Sequence, residues 1–149
     1  MILKIYTIEH PVLRKKAKNV EKIDNNIKKL AEAMFETLKT VDGVGLAAPQ
    51  VGKSLRMAVI SYEDQDLVII NPEIIEKEGE WVDIEGCLSI PGVEIPVKRA
   101  QKITVRFQDL NGKTIVMKAE GMWARIFQHE IDHLDGILIV DKIEEDVKV

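Results

Sequence analysis

The residues best suited to chemistry lie in one stretch, Gln128-His129-Glu130-Ile131-Asp132-His133. It holds two of the three histidines of the chain, four positions apart, with a glutamate directly after the first. On a helix, which advances about 100° per residue, His129 and His133 fall one turn apart on one face, and Glu130 sits on the adjoining flank. Two imidazoles so spaced can grip one metal ion while the carboxylate reaches a water bound to it. The flanks predict that helix: Met122, Trp123, Ala124, Ile126, Phe127, Ile131 and Leu134 are apolar nearly all round, and Gly136 offers a C-terminal stop. Such a helix is buried, and burying His, Glu and His is costly unless something satisfies them. The H-E-x-x-H pattern therefore favours metal binding over two core histidines bonded to backbone.

A catalytic metal needs three protein ligands and an open position. Zinc peptidases of the H-E-x-x-H-x-x-G-x-x-H type offer one test: Gly136 fits, but Ile139 stands where the third His would be. His10, beside Pro11, reads as a surface turn residue, and Asp141, Glu144 and Glu145 lie in a weakly structured polar tail. Cys87 is the better candidate. It lies in Glu85-Gly86-Cys87-Leu88-Ser89-Ile90-Pro91-Gly92, between strand-like segments, and its thiolate would be a strong ligand for a borderline or soft metal. Taken alone, it could equally be a small buried hydrophobe.

These residues need a scaffold, and the chain of 149 residues is long enough for one domain, 1–149, with a real core. A hydrophobic content of 46% with 31% charged residues is that of a soluble globular protein. A net charge of -4 gives no footprint for nucleic acid, and the locally basic N-terminal quarter (Arg14, Lys15, Lys16, Lys18, Lys28, Lys29) reads as a solvated face. No signal peptide and no bilayer-spanning stretch is expected. One cysteine excludes an internal disulfide and suits the reducing cytosol, so a cytoplasmic location without membrane contact is expected.

Periodicity supplies the elements. Ile2 to Tyr6 predicts a short strand, and His10 to Arg14 is irregular around Pro11. From Asp24, apolar residues at Ile27, Leu30, Ala31, Met34, Leu38 and Val41 predict an amphipathic helix ending at Gly43. Gly43-Val44-Gly45-Leu46-Ala47-Ala48-Pro49-Gln50-Val51-Gly52 contains a G-x-G-x-x-A pattern, but a dinucleotide fingerprint needs a strand before it and a helix after it. It reads instead as a loop whose glycines let backbone approach a ligand closely. Leu55–Tyr62 and Leu67–Ile70 suggest a hairpin, Asn71-Pro72 a turn, and Glu73–Asp83 a further strand or pair of strands. Gln101–Gln108 alternates cleanly, Asn111-Gly112 signals a hairpin, and Ile115, Met117 and Ala119 continue it. Ile137–Val140 predicts one more short strand. The class is α+β: mostly antiparallel sheets around a buried C-terminal helix carrying the H-E-x-x-H motif.

Taken together, Gly43-Val44-Gly45-Leu46-Ala47-Ala48-Pro49-Gln50, Glu85-Gly86-Cys87-Leu88-Ser89 and Gln128-His129-Glu130-Ile131-Asp132-His133 resemble the three signature motifs of peptide deformylases, in order and at family-like separations. His10-Pro11-Val12-Leu13-Arg14 also resembles the N-terminal segment of that family, so the similarity covers nearly the whole chain. The resemblance implies removal of the formyl group from the N-terminal formyl-methionine of newly made polypeptides, with a metal-bound hydroxide as the attacking group. It implies Cys87, His129 and His133 as metal ligands, Glu130 as general base and acid, and Gln50 with the Leu88 N–H as oxyanion donors. It implies Fe(II) in cells, one per chain, with Zn, Ni or Co possible. Glu85 and Arg99 match a pair that ties the cysteine loop to the following strand. For the substrate, Gly43, Val44, Gly45, Met122 and Ile126 are candidates beside that pair. A transient ribosome contact is a family property, but the chain stops without the long basic C-terminal helix of many bacterial members, so another surface would have to make it. Ile95-Pro96 departs from the smaller or more polar pair of many relatives, at the expected groove rim.

Three rivals make different demands. An H-E-x-x-H peptidase would take an acidic third ligand from the tail. A Cys87 nucleophile paired with a histidine would act without metal. A structural metal module would need a fourth protein ligand.

Overall fold

Alternation along the strands decides which way each sheet faces. In β2 (Met57–Tyr62), Ala58 and Ile60 face one core while Met57 and Val59 face another, and all four are fully buried. The computed structural model describes residues 1–143. It places β1 (Gly45–Ala47), β2, β3 (Gln65–Glu78), β6 (Lys102–Gln108) and β7 (Thr114–Glu120) in one sheet, in the order β1-β2-β3-β6-β7. A second sheet is the hairpin β4 (Trp81–Cys87) and β5 (Ile90–Arg99). Every pairing between these strands is antiparallel, which agrees with the expected class.

Helix α1 (Asn25–Lys39) starts where Asp24 accepts a hydrogen bond from the Ile27 N–H, and packs Ile27, Ala31, Met34 and Leu38 against Leu46, Met57, Val59 and Ile70. Helix α2 (Gly121–Leu134) follows β7 directly and packs Ala124, Phe127, Ile131 and Leu134 onto Ile60, Ile69, Val105 and Phe107. It stops as expected: Gly136 adopts φ +74°, and the Ile137 N–H reaches back to the Asp132 carbonyl at 2.9 Å. A third apolar cluster joins Val12, Leu13, Ile90, Val97, Leu138 and Ile139 under the hairpin.

Four local expectations need correction. Asn71-Pro72 is not a turn between strands: β3 runs through it as a bulge, with the register shifting between Ile70 and Glu73. Pro72 has no N–H for the ladder, and Asn71 at φ +50° re-forms the lost contacts with its side chain, accepting from the Val20 N–H and donating to the Val20 carbonyl. The glycine-rich loop contains a true strand, β1, followed by a 3₁₀ turn over Ala48–Val51, because Leu46, Ala47 and Ala48 are all fully buried. Ile2–Tyr6 forms no strand among the described residues; the Leu3 N–H bonds to Thr37 Oγ1 and the Tyr6 N–H to the Gln50 carbonyl. Ile137–Val140 is not a strand either, and the chain forms a 3₁₀ turn over Ile139–Lys142. Most of the polar tail, with Glu144 and Glu145, lies outside the described residues.

Candidate active site

Helix α2 presents His129 and His133 to the end of β4, where Cys87 closes the first strand of the hairpin. One ligating atom from each of the three residues lies within 4.8 Å of the others. The Cys87 sulfur is 3.3 Å from His133 Nε2. His129 turns Nδ1 to Glu85 Oε1 at 2.9 Å, which leaves Nε2 for a metal. A thiolate and two imidazoles are a donor set for a borderline divalent ion, and a carboxylate behind one imidazole is the outer support such ligands usually have. The residues present therefore fit a metal. Asp141, which a peptidase reading would recruit, is engaged elsewhere: it takes Arg14 Nη1 at 2.5 Å and the Leu138 N–H at 2.9 Å. His10 is exposed, stacks on Tyr6 and accepts from the Val12 N–H, as a turn residue should.

Glu130 is buried, and its Oε1 has no hydrogen-bond partner among the described residues. Burial pushes its carboxyl up to about 7, although the charges of His129 and Arg99 pull it down. Its seat is made by an absence. A Cβ on Gly45 would lie 2.5 Å from Glu130 Oε2, so only glycine lets the β1 backbone pass this close. Gln50 is fixed by its own turn: Oε1 accepts from the Ala47 N–H at 2.9 Å, while Nε2 donates to Ser89 Oγ at 3.2 Å and faces the Cys87 sulfur at 3.8 Å.

The other charges are set by their neighbours. Burial alone would raise Glu85, but hydrogen bonds from Arg99 and His129 hold it far below the usual carboxylate range. Burial likewise disfavours a charged His129, yet its bonds to Cys87 and Glu85 prevail and push it up to about 10. His133 is held well below its ordinary value by burial and then by the charge of His129. Their surroundings thus push the two imidazoles in opposite directions, and a metal ion would bind in competition with any proton on His129.

A cavity of about 800 Å³ opens onto these groups. Gly43, Val44, Gly45, Gln50, Glu85, Cys87, Leu88, Met122, Ile126, His129 and Glu130 all line it, so nearly every site residue read from the sequence is brought together. His133 does not line it, and neither does Arg99. Arg99 sits behind Glu85, giving that carboxylate two hydrogen bonds of 2.8 and 2.9 Å and Asp132 a third at 2.5 Å. Sequence reasoning gave no role to Arg125, Asp132, Gln128 or Ser89. Arg125 pairs with Glu85, and Gln128 bonds both backbone groups of Ala100, docking α2 beside β6. The available signal was a lone arginine between Ala124 and Ile126 in an apolar helix, which requires a buried acid.

The geometry has a known counterpart. Residues 2–149 match the family model for polypeptide deformylase. The chain belongs to the peptide deformylase family. It is 58% identical to the peptide deformylase of Dictyoglomus thermophilum over 149 residues, covering 99% of this chain and 97% of that one. It is 50% identical to that of Carboxydothermus hydrogenoformans, covering 99% and 97%. The crystal structure of the peptide deformylase from Thermotoga maritima superposes with a TM-score of 0.95 at 46% identity, covering 97% of this chain and 99% of that one. Membership makes the chain a metal-dependent hydrolase of a formyl amide.

Proposed function

We propose that Cys87, His129 and His133 hold one divalent ion, and that Glu130, Gln50 and the Leu88 N–H carry the removal of the N-formyl group from a nascent polypeptide that begins with formyl-methionine. The observation that carries this reading is Glu130: a buried carboxylate with one oxygen unbonded among the described residues, on the same helix as two imidazoles that meet a cysteine sulfur. When bound, the ion supplies Lewis acidity, polarising the formyl oxygen and lowering the pKa of water towards about 7. Glu130 takes the proton of the attacking water and returns it to the leaving amine, a role for which its burial beside the two imidazoles places it. Gln50 Nε2 and the Leu88 N–H donate to the oxyanion, each worth roughly 3–4 kcal/mol. Val44, Met122 and Ile126 give the methionine side chain an apolar wall, and Gly43 and Gly45 leave room for the peptide backbone beside it.

The thiolate and two imidazoles suit Fe(II), which we take to be the ion in the cell, and also Zn, Ni or Co. No helix of the described residues is long and apolar enough to cross a membrane. The lone cysteine suits a cytoplasmic setting, where a transient ribosome contact would bring the nascent chain to the cavity.

Two variants test the division of roles. Glu130→Gln should keep about one metal per chain and lose nearly all hydrolysis of a formyl-Met peptide, whereas His133→Ala should lose both. Release of metal from Glu130→Gln would make Glu130 a ligand and overturn the assignment.

A further inference from the structure

The metal triad is assembled from two separate bodies. His129 and His133 stand on α2, which packs on the five-stranded sheet, while Cys87 stands on the β4–β5 hairpin. Among the described residues the hairpin shares no strand pairing with that sheet. The distance between sulfur and imidazoles therefore depends on what joins hairpin to helix.

Arg125 is the side chain of α2 that reaches both hairpin strands. It sits one turn before His129 on the same helix face. Its Nη1 bonds to Glu85, two residues before Cys87 on the same face of β4, and also to the Val97 carbonyl of β5 at 3.1 Å. Its Nη2 donates to the Trp81 carbonyl at the start of β4 at 3.0 Å, and the guanidinium lies 4.3 Å from the Trp81 ring centroid. The residue is only 3% exposed. One planar fork thus grips three points on two strands, a task for which the point charge of a lysine is unsuited. The carboxylate it grips also holds His129 Nδ1, so Arg125 acts on the sulfur and on one imidazole at once.

Resting on the metal-site reading above, we propose that Arg125 is a positioning residue for metal binding: it clamps the hairpin to α2 and so sets the spacing between the Cys87 sulfur and the two imidazoles. Its charge works the other way. A buried cation near a metal ion repels it, so charge alone would make loss of Arg125 tighten binding. Positioning and charge therefore predict opposite signs.

The test uses the full chain, prepared metal-free and titrated with Co(II), comparing the wild type with Arg125→Lys and Arg125→Met. Lysine keeps the charge and loses the fork; methionine keeps most of the packing and loses both. Affinity is read by competition with a chelator, geometry by the sulfur-to-cobalt charge-transfer and ligand-field bands, and folding by circular dichroism and Tm of the metal-free forms. Both variants should bind Co(II) about 10- to 100-fold more weakly, with displaced ligand-field bands. Unchanged affinity in Arg125→Lys with tighter binding in Arg125→Met would overturn the proposal. So would a lowered Tm with wild-type spectrum and affinity, which is what a purely structural arginine would give. Should neither variant fold, Trp81→Leu removes the face on which the guanidinium rests and should weaken Co(II) binding; wild-type binding there would overturn the proposal too. Absence of the sulfur-to-cobalt band in the wild type would instead sink the metal-site reading itself.

Discussion

Gly45 and Glu130 carry the sharpest expectations for single residues. An alanine at 45 would put a methyl group 2.5 Å from the Glu130 carboxylate, and the carboxylate is the part that can move. Gly45→Ala should therefore leave metal content unchanged and lower kcat on a formyl-Met peptide roughly 10²-fold, the usual effect of misplacing a reacting group by about 1 Å. Unchanged kcat would show that the carboxylate tolerates displacement. Glu130 also sets a pH dependence in the metal-free protein. Its ordinary value is 4.5 and its folded value about 7, so between these the unfolded chain is ionised while the folded one keeps its proton. Stability falls as pH rises through that window, by on the order of 3 kcal/mol, and the penalty is complete above it. In urea melts at pH 5 and pH 8, metal-free wild type should lose more stability than Glu130→Gln; parallel losses would mean that the acid is not held protonated. At this scale the sequence was informative unevenly. The His129–Glu130–His133 face followed from helical geometry, and Cys87 from the lack of a better third ligand. Gln50 came only from the resemblance, because nothing about a glutamine after a proline reveals that its amide will face a sulfur.

Elements were legible where periodicity was clean and unreadable where a local signal was overruled by tertiary partners. Asp24, the stripe of α1 as far as Leu38, and the Asn111-Gly112 hairpin behaved as their chemistry dictates, although α1 ends at Lys39 and not at Gly43, leaving Val41 outside it. Asn71-Pro72 did not, since turn chemistry was absorbed into a bulge inside β3. That bulge depends on the Asn71 amide, which bonds to Val20 on both sides and donates to Gln108 Oε1 at 3.1 Å. Asn71→Gly keeps the positive φ and loses the hydrogen bonds, for a cost of about 1–3 kcal/mol. Asn71→Ala adds the left-handed strain and should cost roughly 1 kcal/mol more. Urea midpoints of the two variants measure the difference directly; equal midpoints would remove backbone strain from the account. The β1 strand was missed for a related reason, as three residues between glycines and a proline are too few to show alternation.

At the scale of the whole molecule, one helix serves two masters: its apolar side belongs to the five-stranded sheet and its polar side to the hairpin. On the proposed ligand set of Cys87, His129 and His133, a bound ion ties the two together, so it should stabilise the regions unequally. Amide hydrogen exchange in β4 and β5 is expected to quicken when metal is stripped, while the central amides of β2, β3 and β6 keep their protection. Uniform quickening would mean that the hairpin and sheet open as one unit. The division also bears on time. His129 and His133 are four residues apart on a continuous helix and stay in register whatever the hairpin does, whereas Cys87 leaves with the hairpin. How long an ion remains bound is then governed by how often the hairpin lifts from the helix, and substitutions that steady β4–β5 well away from the ligands should prolong that residence without altering a single metal bond.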